Sequence, residues 1–144
     1  MKRKDMYIAE LIFNLNRFVE ESVISRPTTI VDSLPDSGLL FQKISGDYSA
    51  FTAIYGKPDV MMRFAAEYSK LKVTRYDHLC AELIGDFLNL HNGLFVVKLS
   101  DAENIESSLE PPIISDNDNY VLNGTTYIMP VEFKFGTLNF VLSE

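Results

Sequence analysis

The sequence predicts an α+β fold, a largely antiparallel sheet packed against long helices. Three observations carry that prediction. Residues 5–24 and 76–100 repeat apolar side chains at the three-and-four spacing of an amphipathic helix. Elsewhere the period drops to two: Phe51, Ala53 and Tyr55 alternate with Thr52 and Ile54, and Val131, Phe133 and Phe135 with Glu132 and Lys134. The strands come in groups joined by short turn-forming connections, which favours hairpins over parallel crossovers.

Taken in order, the first helix carries the stripe Ile8, Leu11, Ile12, Leu15, Phe18 and Val19, with Arg17, Glu20 and Glu21 off it. Arg26-Pro27 ends it, because proline has no amide proton to continue the ladder. Thr28–Val31 is β-branched and reads as a strand, stopped by Pro35-Asp36-Ser37-Gly38. Leu39–Ile44 and Tyr48–Tyr55 follow as strands joined through Ser45-Gly46-Asp47. Pro58 suits the first turn of a second helix, whose apolar face is Val60, Met61, Phe64, Ala65 and Tyr68. Met61-Met62 reads as core filling. Thr74 is placed to cap the long helix at 76–100, with Asp77 three residues on.

The end of that helix is open to two readings. Leu94–Leu99 has strand propensity, yet Leu90, Leu94 and Val97 keep the helical stripe, and continued helix is favoured. Residues 101–108 read as an acidic loop. Pro111-Pro112 places Leu109–Ser115 at a sheet edge. Asp116–Asn119 reads as a turn, and its spacing lacks the terminal Glu of a calcium loop. Tyr120–Leu122 leads into the hairpin dipeptide Asn123-Gly124. Thr126–Phe135 and Leu138–Leu142 are the last strands, joined through Gly136. The length of 144 residues suits a single domain, 1–144.

Composition excludes several functions. The net charge is −7, which argues against nucleic acid or an anionic membrane as partner, since both need clustered Lys and Arg. Lys2-Arg3-Lys4 is a short terminal run. Cys80 is the only cysteine, so no internal disulfide or multi-cysteine zinc site can form. Flanked by Leu79 and Ala81, it reads as a buried thiol. The N-terminal stretch lacks the apolar run and cleavage site of a signal peptide, and no run approaches about 20 apolar residues, so a cytoplasmic setting is expected. Phosphate-binding glycine loops, dinucleotide fingerprints and nucleophile elbows are absent. His78 and His91 lack the i,i+4 partner of a helical zinc site and read as surface or boundary side chains.

The long helix carries the most function-like feature. Its apolar side chains are Leu79, Leu83, Ile84, Phe87, Leu88, Leu90 and Leu94. At about 100° per residue, Asp86, Asn89 and Gly93 fall together elsewhere, with Glu82 and His78 beside them. Exposed helix faces carry Asp and Asn routinely, and spacing alone favours that reading. Asn is nonetheless a poor mid-helix residue, and Gly93 costs the helix about 1 kcal/mol against Ala. Two unfavourable residues on one polar stripe suggest that the stripe is kept for something.

Gly85-Asp86-Phe87-Leu88-Asn89-Leu90-His91-Asn92-Gly93 resembles the active-site helix of the CheC/CheX/FliY family of chemotaxis phosphatases. That family has a Glu, an Asn three residues later and a Gly four after that, with a small residue before the Glu. Leu109-Glu110-Pro111-Pro112-Ile113-Ile114 resembles the proline-containing strand that follows, and Phe135–Leu142 the closing strands. One motif copy is present, as in CheX. The acid here is Asp86, one methylene shorter than the family Glu; the unrelated CheZ phosphatases use Asp with Gln.

The resemblance implies a CheC/CheX-like fold and a homodimer. It implies a phosphatase acting on the aspartyl phosphate of a phosphorylated CheY-like response regulator, in which Asn89 orients the attacking water and Asp86 pairs with the regulator's Lys. No cofactor of its own is implied, the Mg²⁺ being held by the regulator. The alternative is a non-catalytic CheX-like module for partner binding or dimerisation.

Overall fold

The structure is a computed structural model that describes residues 2–115 and 120–144. The elements run α1 (Arg3–Phe18), β1 (Ile24–Ser25), β2 (Thr29–Val31), β3 (Leu39–Gly46), β4 (Ala50–Tyr55), α2 (Pro58–Ser69), α3 (His78–Glu103), β5 (Ser107–Leu109), β6 (Ile113–Ser115), β7 (Thr126–Phe133) and β8 (Gly136–Ser143). The strands form one antiparallel sheet ordered β1-β7-β8-β4-β3-β5, with β2 also on β7 and β6 also on β3. Each edge is thus built from two short strands with prolines between them. Pro27 separates β1 from β2, and Pro111-Pro112 separate β5 from β6. Proline cannot donate to a ladder, which explains both interruptions.

Side-chain alternation along β3 and β4 sends Leu40 and Ile44, with Ala50 and Ile54, into the core shared with all three helices. Leu39 and Phe41, with Phe51 and Ala53, go to the opposite face, where Leu34, Tyr120 and Leu122 pack over them. The half-buried strand expected at 48–55 is therefore buried on both faces from Ala50 to Ile54. The helix-side core centres on Phe64, whose ring meets Phe87, Phe133 and Phe140 edge-on at 5.2, 5.7 and 6.3 Å. Truncating such a ring to alanine costs on the order of 3–5 kcal/mol. These contacts fix α2 and α3 on the sheet.

Several boundaries differ from expectation. The first helix stops at Phe18 rather than 24; Ser22 turns the chain with a φ of 62°, and Asn16 Oδ1 accepts from the Val23 amide. Asp77, not Thr74, caps α3: its carboxylate accepts from the Cys80 amide at 3.1 Å. The stretch 94–99 is helical, and α3 runs on through Glu103 into the segment expected as a loop. Residues 120–122 form no strand, so Asn123-Gly124 is not a hairpin turn; that segment covers the sheet instead. The turn expected at 116–119 lies outside the described residues. Lys134-Phe135 close the β7–β8 hairpin, where Gly136 has a φ of +136° and a Cβ would lie 2.7 Å from a Val60 methyl. The last strand, β8, sits between β7 and β4 within the sheet. Among the described residues no helix is long and apolar enough to cross a membrane.

Candidate active site

Helix α3 presents Asp86 and Asn89 on its exposed side, one turn apart. The buried side of the same helix is Cys80, Ala81, Ile84, Gly85, Phe87, Leu88, His91, Asn92, Phe95 and Leu99. This core face is rotated by roughly 100° from the one that apolar periodicity predicts. Leu79 is 53 % exposed and Leu90 and Leu94 are only partly covered, whereas Asn92 and His91 are fully buried. The reason is the company α3 keeps. It packs on the sheet, on α2 and on α1, and the α1 contact is partly polar. Cys80 is buried as expected, and burial pushes its thiol up to about 11.

His91 corrects the expectation of a surface or boundary side chain. Its Nδ1 lies 2.9 Å from Asn14 Nδ2, its ring stacks on Phe87 and meets Tyr7 edge-on at 4.8 Å, and burial lowers its pKa to about 3. It is a neutral core residue. His78 is exposed and lies 2.9 Å from Glu82.

A cleft of about 480 Å³ opens beside the stripe. Its floor is Leu40, Ala81, Gly85, Pro112 and Ile114; its rim is His78, Glu82, Asp86 and Asn89. Gly85 sets the cleft's narrow side, since a Cβ there would lie 3.3 Å from the Pro112 Cβ. Gly93 is different: a Cβ would meet Leu109 at an ordinary 3.9 Å, so internal packing does not require glycine.

Both stripe residues are tied down. Tyr68, on α2, donates to Asp86 Oδ2 at 2.6 Å; burial and that bond hold its hydroxyl above the ordinary phenol range, so it stays a donor. Asn89 Oδ1 accepts at 2.7 Å from Nε2 of Gln42, a fully buried residue of β3. Behind Gln42 a buried polar network continues inward. Asn92 Nδ2 donates to Gln42 Oε1 at 2.9 Å and to Thr52 Oγ1 at 2.8 Å, and Tyr7 donates to Asn92 Oδ1 at 2.7 Å. Sequence reading missed Gln42, Thr52 and Asn92. The available signal was polarity in the wrong place: Gln42 shares the inward parity of Leu40 and Ile44, and Thr52 that of Ala50 and Ile54. Among the described residues no three His, Cys, Asp or Glu side chains converge as a metal site requires.

Solved structures decide the fold. A CheC-like superfamily protein from Shewanella sp. PV-4 matches at a TM-score of 0.79 over 99 % of this chain and 98 % of its own, at 16 % identity. The chain has the CheC/CheX-like fold. CheX from Vibrio vulnificus matches at 0.78 over 99 % of each chain, with 12 % identity. A structure of the CheX–CheY–BeF3–Mg²⁺ complex from Borrelia burgdorferi matches at 0.79, over 99 % of this chain and 97 % of that one, with 13 % identity. No protein-family model matches the sequence, and no curated protein matches it significantly. The expected α+β architecture of CheX-like type therefore stands.

Proposed function

We propose that this protein stimulates hydrolysis of the aspartyl phosphate on a CheY-like response regulator. The observation that carries the reading is a surface carboxamide, Asn89, held from beneath and set one helical turn from a held carboxylate, Asp86, on a CheX-like fold. An aspartyl phosphate is a reactive mixed anhydride. The regulator brings its own Mg²⁺ and Lys, so positioning is the main work left, as in phosphoryl transfer generally. Oδ1 of Asn89 keeps one lone pair to accept from a water, and Nδ2 keeps its protons to donate. The water oxygen forms the new P–O bond as the bond to the regulator's aspartate breaks. The carboxylate leaves with the electron pair, and the water's protons go to phosphate and solvent. Asp86 pairs with the regulator's Lys and anchors the complex. The acidic rim of Glu82 and Asp86 suits that cationic partner. No metal bound by this chain enters the scheme.

The test is phosphate release from a phosphorylated regulator at substoichiometric protein. Asn89→Ala is expected to abolish stimulation while leaving binding intact, and a full-rate mutant overturns the mechanism. A second reading, a binding or dimerisation module without catalysis, is favoured by the Asp in place of the family Glu. It requires that the phosphoryl lifetime change only in proportion to occupancy.

A further inference from the structure

Asn89 is exposed, yet its amide has one fixed orientation, and the atoms that fix it are buried. Backbone carbonyls accept hydrogen bonds and never donate them. Gln42 faces the Glu110 carbonyl at 2.8 Å, so the Gln42 atom there is the donating Nε2. Its second proton then goes to Asn89, whose facing atom is the acceptor Oδ1. The far end of the network assigns the same polarity independently. Thr52 spends its hydroxyl proton on the backbone carbonyl of Gln42 at 2.8 Å, so Oγ1 accepts from Asn92 Nδ2. The other Asn92 proton goes to Gln42 Oε1, which again leaves Nε2 toward Asn89. Reversing the Asn89 amide would set two NH₂ groups against each other. Among the described residues no protein group accepts from Asn89 Nδ2.

We propose that Gln42 is a positioning residue: it holds Asn89 Oδ1 inward, so that Nδ2 and the remaining Oδ1 lone pair are presented to the phosphoryl site in a single orientation. The proposal rests on the reading of Asn89 as the water-orienting group. An untethered asparagine on a helix surface samples several rotamers and both amide orientations. Placement errors near 1 Å cost on the order of 100-fold in rate. Gln42 touches neither water nor regulator, so its loss acts on turnover and not on docking.

Two measurements test this. The first uses folded wild-type protein: side-chain ¹⁵N relaxation of the Asn89 amide is expected to be as rigid as the α3 backbone, and to become mobile in Gln42→Met. The second compares phosphate release. Gln42→Met, similar in shape and without donors, is expected to lower kcat by about 10- to 100-fold while KM for the phosphorylated regulator stays within about 3-fold. A mobile Asn89 amide in the wild type overturns the proposal even if the variant does not fold. A folded Gln42→Met with kcat within about 2-fold of wild type also overturns it. The Asn89→Ala control separates the two levels. Loss of stimulation in Asn89→Ala beside full activity in Gln42→Met refutes the tether alone, whereas full activity in Asn89→Ala refutes the functional reading beneath it.

Discussion

Replacing His91 with glutamine should change how stability depends on pH. His91 is sealed between α1 and α3, and burial lowers its pKa to about 3. In the unfolded chain an imidazole titrates near 6.5. Between those values the unfolded state binds a proton that the folded state does not. The contribution is therefore fully present above about pH 6.5 and is lost as the pH falls toward 3. The slope approaches about 1.4 kcal/mol per pH unit, which amounts to about 2 kcal/mol between pH 8 and pH 5. Urea unfolding of wild type and His91→Gln at several pH values in that range isolates the effect. The two proteins differ only at residue 91, so the difference between them reports that position. The variant is expected to be the less stable at pH 8, having lost the Phe87 and Tyr7 ring contacts. The gap should close by about 2 kcal/mol at pH 5. A gap constant across the range would refute the reasoning. The consequence reaches the site, because His91 and Asn92 are neighbours on one helix. Tyr7 and Asn14 of α1 hold Asn92 and His91, and Asn92 in turn holds Gln42 beneath Asn89.

Two further outcomes follow from the site geometry. Asp86→Asn keeps the side chain's size and removes its charge, so KM for the phosphorylated regulator should rise by about 10-fold or more, with a smaller change in kcat, in the phosphate-release assay. Gly93→Ala should raise thermal stability, since Ala is favoured over Gly in a helix by about 1 kcal/mol and the added methyl meets only Leu109 at 3.9 Å. If the stripe accommodates a close partner backbone, the same variant should bind the regulator more weakly. Higher stability with unchanged binding would reduce Gly93 to a dispensable helix residue.

The sequence by itself determined the elements whose causes are local. Pro111 and Pro112 lack an amide proton, which places their segment at a sheet edge, where it lies. The three-and-four spacing at 76–100 carried the long helix through a β-prone Leu94–Leu99. The same spacing put Asp86 and Asn89 on one stripe, and the resemblance built on those residues led to the right fold. Tertiary structure decided what spacing cannot encode. Periodicity places a helix's apolar side chains, but the partners on each side choose the face that is buried. Here they bury His91 and Asn92 and leave Leu79 exposed. Nothing local to Asn89 says that its oxygen points inward. That orientation comes from Gln42, 47 residues earlier, and from the Glu110 carbonyl across the sheet edge. Hydrogen-bond polarity spreads through contacts that exist only once α3 lies on the sheet, and so it is a property of the fold.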